Sequence, residues 1–309
     1  MIDPFRFAAW VSAEARAAFR ALSETAPAPE GLEAVRQHYD AYNRRLLADA
    51  LEMYPVEISH RQIGGVPVQS VVPQTGVTRP GTLICLHGGA FMWGAGAGAL
   101  LEAVPLAVAC GCEVLAVDYR LAPEHCYPAA VDDVLAVYRD VLTRQDADRV
   151  GIYGCSAGGM LTAQAVARMI DEELAVPGAI AMLHGTGLDF VGDLAAAAPA
   201  FNPLGNASDL PSAKSLPYFT AADLDDPLVM PGNHPDILAR FPPSLLVSAT
   251  RDFAASACSV MHRRLLAAGV DARFVLFDGL WHAHHMAAGL PESQETFALL
   301  ERFFAEHLQ

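Results

Sequence analysis

Gly154-Cys155-Ser156-Ala157-Gly158 sets a serine between small residues. It follows a short apolar run ending at Tyr153 and opens a helical pattern at Ala157. In that strand–turn–helix setting, G-x-S-x-G exposes a nucleophilic hydroxyl. The glycines permit a turn tight enough to hold the serine in a strained conformation. The helix start behind it offers unbonded N–H groups to a developing negative charge. A Gly-rich turn around a bystander serine would have the same composition, so the partners decide. Cys155, at the x position, should point away from Ser156 and pack.

A nucleophilic serine needs donors for an oxyanion, a base, and an acid to orient the base. His87-Gly88-Gly89-Ala90-Phe91 directly follows another apolar run, residues 82–86. Two consecutive glycines let backbone N–H groups approach a substrate oxygen closely. Gly88 and Gly89, with the Ala157 N–H as third donor, are the candidates. His87 lies upstream of the glycines and reads as a tether for the loop, not as the base.

The base is expected late in the chain, after the last strand, with the acid between it and the serine. Asp278-Gly279-Leu280-Trp281-His282-Ala283-His284-His285 follows the last apolar run. His282 is the first choice, with His284 and His285 as alternatives. Asp252, one short loop past residues 245–248, is the first choice for the acid. Asp278 is the runner-up, but it is too near His282 in sequence to lie on a separate strand end. A metal reading of the histidines finds no accompanying carboxylate motif such as H-E-x-x-H. No metal and no cofactor are expected.

Positioning these groups requires a sheet. Residues 56–59 and 66–72 look like half-buried strands around the Gly64-Gly65 turn. Fully apolar runs at 82–86, 113–117, 150–153, 179–183, 245–248 and 272–277 alternate with helical stretches at 97–110, 127–144, 157–172, 254–268 and 292–307. Strands buried on both faces lose in/out alternation, and alternation with helices makes a parallel sheet. Two helices are expected at the start, over 3–24 and 31–53. In the first, Phe7, Trp10, Val11, Ala15, Ala18, Phe19 and Leu22 recur at helical spacing. Residues 188–243 are too long for a bare loop and read as an excursion with one or two short helices.

Composition sets the outer limits. The 309 residues carry 20 Lys+Arg against 35 Asp+Glu, a net charge of −15. Such a chain repels phosphate, which disfavours nucleic acid and anionic membrane surfaces as partners. An apolar fraction of 53% with 18% charged residues excludes a disordered chain. No apolar run is long enough to span a membrane; the best, near residues 90–101, ends at Glu102. No basic leader is seen, and the six cysteines form no C-x-x-C pairs. A reduced, cytoplasmic protein is expected. The oligomeric state stays open, a homodimer included.

These blocks resemble the hormone-sensitive lipase-like family of α/β-hydrolases, the bacterial family IV esterases. His87-Gly88-Gly89-Ala90-Phe91 is similar to its His-Gly-Gly-Gly box, and Gly154-Cys155-Ser156-Ala157-Gly158-Gly159 to its nucleophile box. Asp118-Tyr119-Arg120-Leu121-Ala122-Pro123-Glu124-His125 resembles the segment joining its next strand and helix. The resemblance implies an α/β-hydrolase fold over 55–309, with a helical cap from residues 1–54 and about 188–235. It implies cofactor-free hydrolysis of short- to medium-chain carboxylic esters, with Gly88, Gly89 and Ala157 as oxyanion donors. A lactonase, amidase or acyltransferase with the same triad is the alternative, and a non-catalytic receptor on this fold is a further one. Phe91, Met92, Trp93, His184 and Phe190 are candidate pocket residues for a small ester. This chain departs from the family at Cys155, where an Asp is usual, and after Asp252 and His282.

Overall fold

The structure is a computed structural model and describes residues 5–25, 28–201 and 212–308. The short apolar runs are strands of one eight-stranded sheet: β1 (Val56–Ile63), β2 (Val66–Pro73), β3 (Thr82–Leu86), β4 (Glu113–Val117), β5 (Val150–Cys155), β6 (Ala179–Leu183), β7 (Ser244–Arg251) and β8 (Ala272–Trp281). Their spatial order is β1-β2-β4-β3-β5-β6-β7-β8. β1 and β2 are antiparallel, and so are β2 and β4, while every pairing from β4 onward is parallel. Strands β3 to β6 are buried on both faces, except for Glu113 at the start of β4. That is why they read as unbroken apolar runs.

The helices are α1 (Ala13–Ser23), α2 (Leu32–Met53), α3 (Ala97–Cys110), α4 (Ala129–Val141), α5 (Ala157–Asp171), α6 (Asp193–Phe201), α7 (Pro235–Leu238), α8 (Ala255–Ala267) and α9 (Pro291–His307). Two apolar layers flank the sheet. One gathers Ile84, Leu86, Val134, Leu161, Val166 and Leu246 beneath α4, α5 and α8. The other gathers Leu83, Cys85, Val104, Val247, Phe297 and Phe304 beneath α3 and α9, and includes Phe19 of α1.

The first helix starts later than its apolar spacing suggests. Phe7, Trp10 and Val11 precede it, and Ser12 caps it through a bond from the Ala15 N–H. Glu292 accepts from both the N–H and the hydroxyl of Ser12, at 2.8 Å each. Those bonds fix the chain direction where helix would otherwise extend. The excursion between β6 and β7 carries α6, single 3₁₀ turns and the one-turn α7. Its stretch 202–211 lies outside the described residues.

Helix α2 lies against the sheet at a specific loop. Arg36 of α2 donates from Nε to the Met92 carbonyl at 2.8 Å and from Nη2 to the Ala122 carbonyl at 3.0 Å. Its guanidinium also pairs with Glu124. Tyr39, one turn further on, stacks on Trp93 with ring centres 4.7 Å apart. The strands β3 to β8 end at the same edge, where this clamped loop sits. Residues that follow strand ends in such sheets converge there.

Candidate active site

Ser156 heads α5 directly after β5, with φ 56° and ψ −116°. A non-glycine residue there is strained by about 1–3 kcal/mol, a cost usually found where function needs it. Tight packing holds the turn. A Cβ on Gly158 would sit 1.7 Å from the Leu86 carbonyl oxygen, so only glycine lets α5 approach the end of β3. The Ser156 N–H donates to the Leu183 carbonyl at 2.8 Å. Ser156 keeps partial exposure while both its neighbours are buried.

The loop after β3 runs alongside. A Cβ on Gly88 would lie 3.4 Å from the Ser156 Cβ, which places that backbone against the serine. Gly89 has φ +111°, and Ala90 and Phe91 are also left-handed, at 53° and 60°. His87 is the tether its position suggested. Its Nδ1 lies 2.7 Å from the Gly88 carbonyl oxygen, and its ring stacks on Tyr119, centres 4.1 Å apart. The Tyr119 hydroxyl donates to the His87 carbonyl at 2.7 Å. The loop is thus gripped by α2 from above and by Tyr119 from below.

Asp252, just past β7, is fully buried and saturated with donors. His282 Nδ1 lies 2.7 Å from Oδ1, and the Ala254 N–H donates to the same oxygen at 2.9 Å. On Oδ2, the Ser248 hydroxyl donates at 2.6 Å and His184 Nδ1 lies at 2.7 Å. Burial alone would raise the Asp252 pKa. The adjacent His282 and His184 outweigh it and hold the carboxyl well below its ordinary range. With both Nδ1 atoms turned to a carboxylate, each imidazole donates from Nδ1, which leaves Nε2 as the lone-pair nitrogen of the neutral ring. Phe253 stacks on the His282 ring at 4.1 Å, and Phe190 packs edge-on against Phe253 at 5.2 Å.

The other candidates sit elsewhere. Asp278 is exposed and accepts from Trp10 Nε1 and Thr250 Oγ1. His284 and His285 are fully buried, their ring centres 5.3 and 5.4 Å from that of His184. His284 meets Thr296 of α9 at 3.4 Å. His184 faces Asp252 with no exposure, so it is turned away from any open pocket. Phe91 is also fully buried, stacked on Tyr218 at 4.0 Å. Met92, Trp93 and Phe253 are partly exposed, and Phe190 nearly buried.

This is a constellation for acyl transfer, and comparisons with known proteins bear on it. Residues 83–286 match the profile of a family described by its alpha/beta hydrolase fold. LipR of Mycobacterium tuberculosis, provisionally named an acetyl-hydrolase, is 33% identical over 265 residues, covering 80% of this chain and 79% of that one. The acetyl esterase of Salmonella paratyphi B is 27% identical over 301 residues, covering 92% and 90%. A crystal structure of esterase E25 superposes with a TM-score of 0.83 at 28% identity, covering 100% of this chain and 98% of the other. An esterase from the bacterial hormone-sensitive lipase family gives 0.82 at 25% identity, covering 94% and 96%. The chain belongs to the hormone-sensitive lipase-like esterases of the α/β-hydrolase superfamily.

It is accordingly a carboxylic ester hydrolase. Several residues of this esterase's site escaped sequence reasoning. Ser248 lies in an apolar strand and gave no sign that its hydroxyl would reach Asp252. Phe253 was visible only as a departure from the family pattern. Glu102 was the residue that ended an apolar run, yet the structure buries it in α3, beside Cys155 and His285. Burial pushes its pKa up to about 8, partly offset by the nearby His184.

Proposed function

We propose that Ser156 is the nucleophile, His282 the base and Asp252 the acid of a cytoplasmic serine esterase acting on small, uncharged carboxylic esters with short acyl chains. The observation that carries this reading is the buried Asp252 carboxylate, which holds the Nδ1 side of the His282 ring at 2.7 Å, in a chain whose Ser156 sits strained and partly exposed at the head of α5. Ser156 Oγ attacks the ester carbonyl carbon as His282 Nε2 takes its proton. N–H groups of Gly88, Gly89 and Ala157 stabilise the oxyanion; the first-turn amide of Ala157 has no partner inside its own helix. The imidazolium then protonates the departing alcohol. Water, deprotonated by the same ring, releases the acid from the acyl-enzyme.

Short acyl groups are favoured by the names of the relatives, which include acetyl esterases, and by aromatic walls close to the base. Phe253 stacks on His282 with Phe190 packed against Phe253, and the partly exposed Met92 and Trp93 follow the glycine loop. The net charge of −15 disfavours anionic esters. Among the described residues no helix is long and apolar enough to cross a membrane. All six cysteines are free thiols, which suits a reducing compartment.

The test is hydrolysis of aryl esters of increasing acyl length, with a serine-directed phosphonate as site label. Activity should peak at the shortest chains, and the label should map to Ser156. Ser156→Ala should lower kcat by at least ~10⁴ with the fold intact. Activity within tenfold of the parent, or a label elsewhere, would overturn the assignment.

A further inference from the structure

Behind the nucleophile lies a second set of donors that the ester chemistry does not use. Glu102 of α3, Cys155 at the end of β5 and His285 after β8 each bring a ligand-type atom to within 4.8 Å of the others. All three side chains are buried. His285 Nε2 is 3.7 Å from Glu102 Oε2, too far for a hydrogen bond. Neither oxygen of Glu102 and neither nitrogen of His285 has a hydrogen-bond partner among the described residues. Four unpaired polar atoms on two buried, adjacent side chains call for an occupant or a proton between them.

We propose that Glu102, Cys155 and His285 bind a zinc ion beneath the nucleophile turn. The chemistry of the donors selects the cation. A thiol and an imidazole exclude calcium and magnesium, which take oxygen ligands. Sulfur, nitrogen and a single carboxylate oxygen are all ordinary zinc ligands, at about 2.0–2.3 Å. Tetrahedral placement at those lengths sets ligand atoms roughly 3.3–3.7 Å apart, so the 3.7 Å between His285 and Glu102 is already near that spacing. A thiolate and a carboxylate also balance the two charges of zinc, so a buried cluster would be neutral overall. Three protein ligands leave one coordination position open. The site would tie α3, the nucleophile strand and the histidine loop together, joining the segments that carry Ser156 and His282. No local motif announces it, because the three ligands come from three distant segments.

Zinc binding is measured directly, so the result is independent of the esterase reading. The full-length chain, stripped with a chelator, is equilibrated with zinc chloride and its metal content determined. About one zinc per chain is expected, with at least tenfold weaker binding in Glu102→Gln and in Cys155→Ser. Asp252→Asn, which alters the neighbouring His184–Asp252–His282 group, should bind zinc as the parent does. Cobalt in place of zinc should give a thiolate charge-transfer band in the parent protein, a readout that needs no variant to fold. Failure to bind zinc, a cobalt spectrum without that band, or zinc retained in both ligand variants would overturn the site and leave a protonated Glu102 as the occupant of the gap. Zinc lost in Asp252→Asn but kept in Cys155→Ser would overturn it too, by assigning the metal to the neighbouring group.

Discussion

At the scale of single residues, one carboxylate orients two imidazoles, and only one of those rings retains access to solvent. His282 is 19% exposed at its side chain and His184 is not exposed. The three histidines of the late loop therefore separate by position. His282→Ala should lower kcat by about 10³-fold or more, and His284→Ala and His285→Ala by far less; the reverse ordering in single-turnover assays would move the base. Ser248 gives a subtler test. Its 2.6 Å bond is charge-assisted, worth roughly 1.5–3 kcal/mol where the acceptor is ionised. Ser248→Ala should lower kcat about tenfold with KM little changed, because the loss falls on the orientation of Asp252, not on substrate binding. An unaltered kcat would show that His184 and the Ala254 N–H suffice.

At the scale of elements, α2 grips the segment that follows the glycine loop through the Arg36 guanidinium, next to the Tyr39–Trp93 stack. Arg36 reaches the Met92 and Ala122 carbonyls and Glu124 at once, a fork that a lysine ammonium cannot reproduce. Arg36→Ala and Arg36→Lys should both reduce kcat/KM, by roughly tenfold, and Lys should rescue little. Full rescue by Lys would mean that charge alone matters. The hydrogen bond from Arg36 pulls the Glu124 pKa down to about 2. A depressed carboxyl contributes above its unfolded pKa, and that contribution is lost only as pH falls through the folded value. The clamp should thus survive mild acid. The strands that carry the site were legible in the sequence, since doubly buried strands leave unbroken apolar runs, and Ser156, Asp252 and His282 follow from their order. The start of α1 was not legible. Apolar spacing continues back through Trp10 and Phe7, and only a bond to Glu292, far along the chain, stops the helix at Ser12. His184 and Glu102 were illegible for a like reason: their roles come from tertiary neighbours, which no local pattern encodes.

At the scale of the whole molecule, the cluster behind the site sets how stability responds to acid. His184 and His285 are pushed down to about 4 and about 3 by burial, and His284 is also lowered, again mainly by burial. An imidazole depressed in the folded state contributes above its unfolded pKa near 6.5, and that contribution is lost as pH falls toward the folded value. Lowering pH from 7 to 5 should cost about 2 kcal/mol for His184 and a similar amount for His285. Glu102 works in the opposite direction. Its pKa is raised to about 8, so its contribution is present in acid and lost as pH rises through 8; the same step to pH 5 returns roughly 2.5 kcal/mol. Asp252 titrates below this window and adds nothing to it. The imidazoles outweigh the carboxyl, so the metal-free protein should lose about 1.5 kcal/mol between pH 7 and pH 5 from these three groups, with His284 acting in the same direction, read from urea unfolding at each pH. Two variants separate the opposing contributions. His184→Gln, which can still donate to Asp252 but cannot titrate, should flatten the profile, and Glu102→Gln should steepen it. Equal stability at both pH values in the parent, or profiles unchanged in both variants, would mean that these buried groups do not govern the acid response.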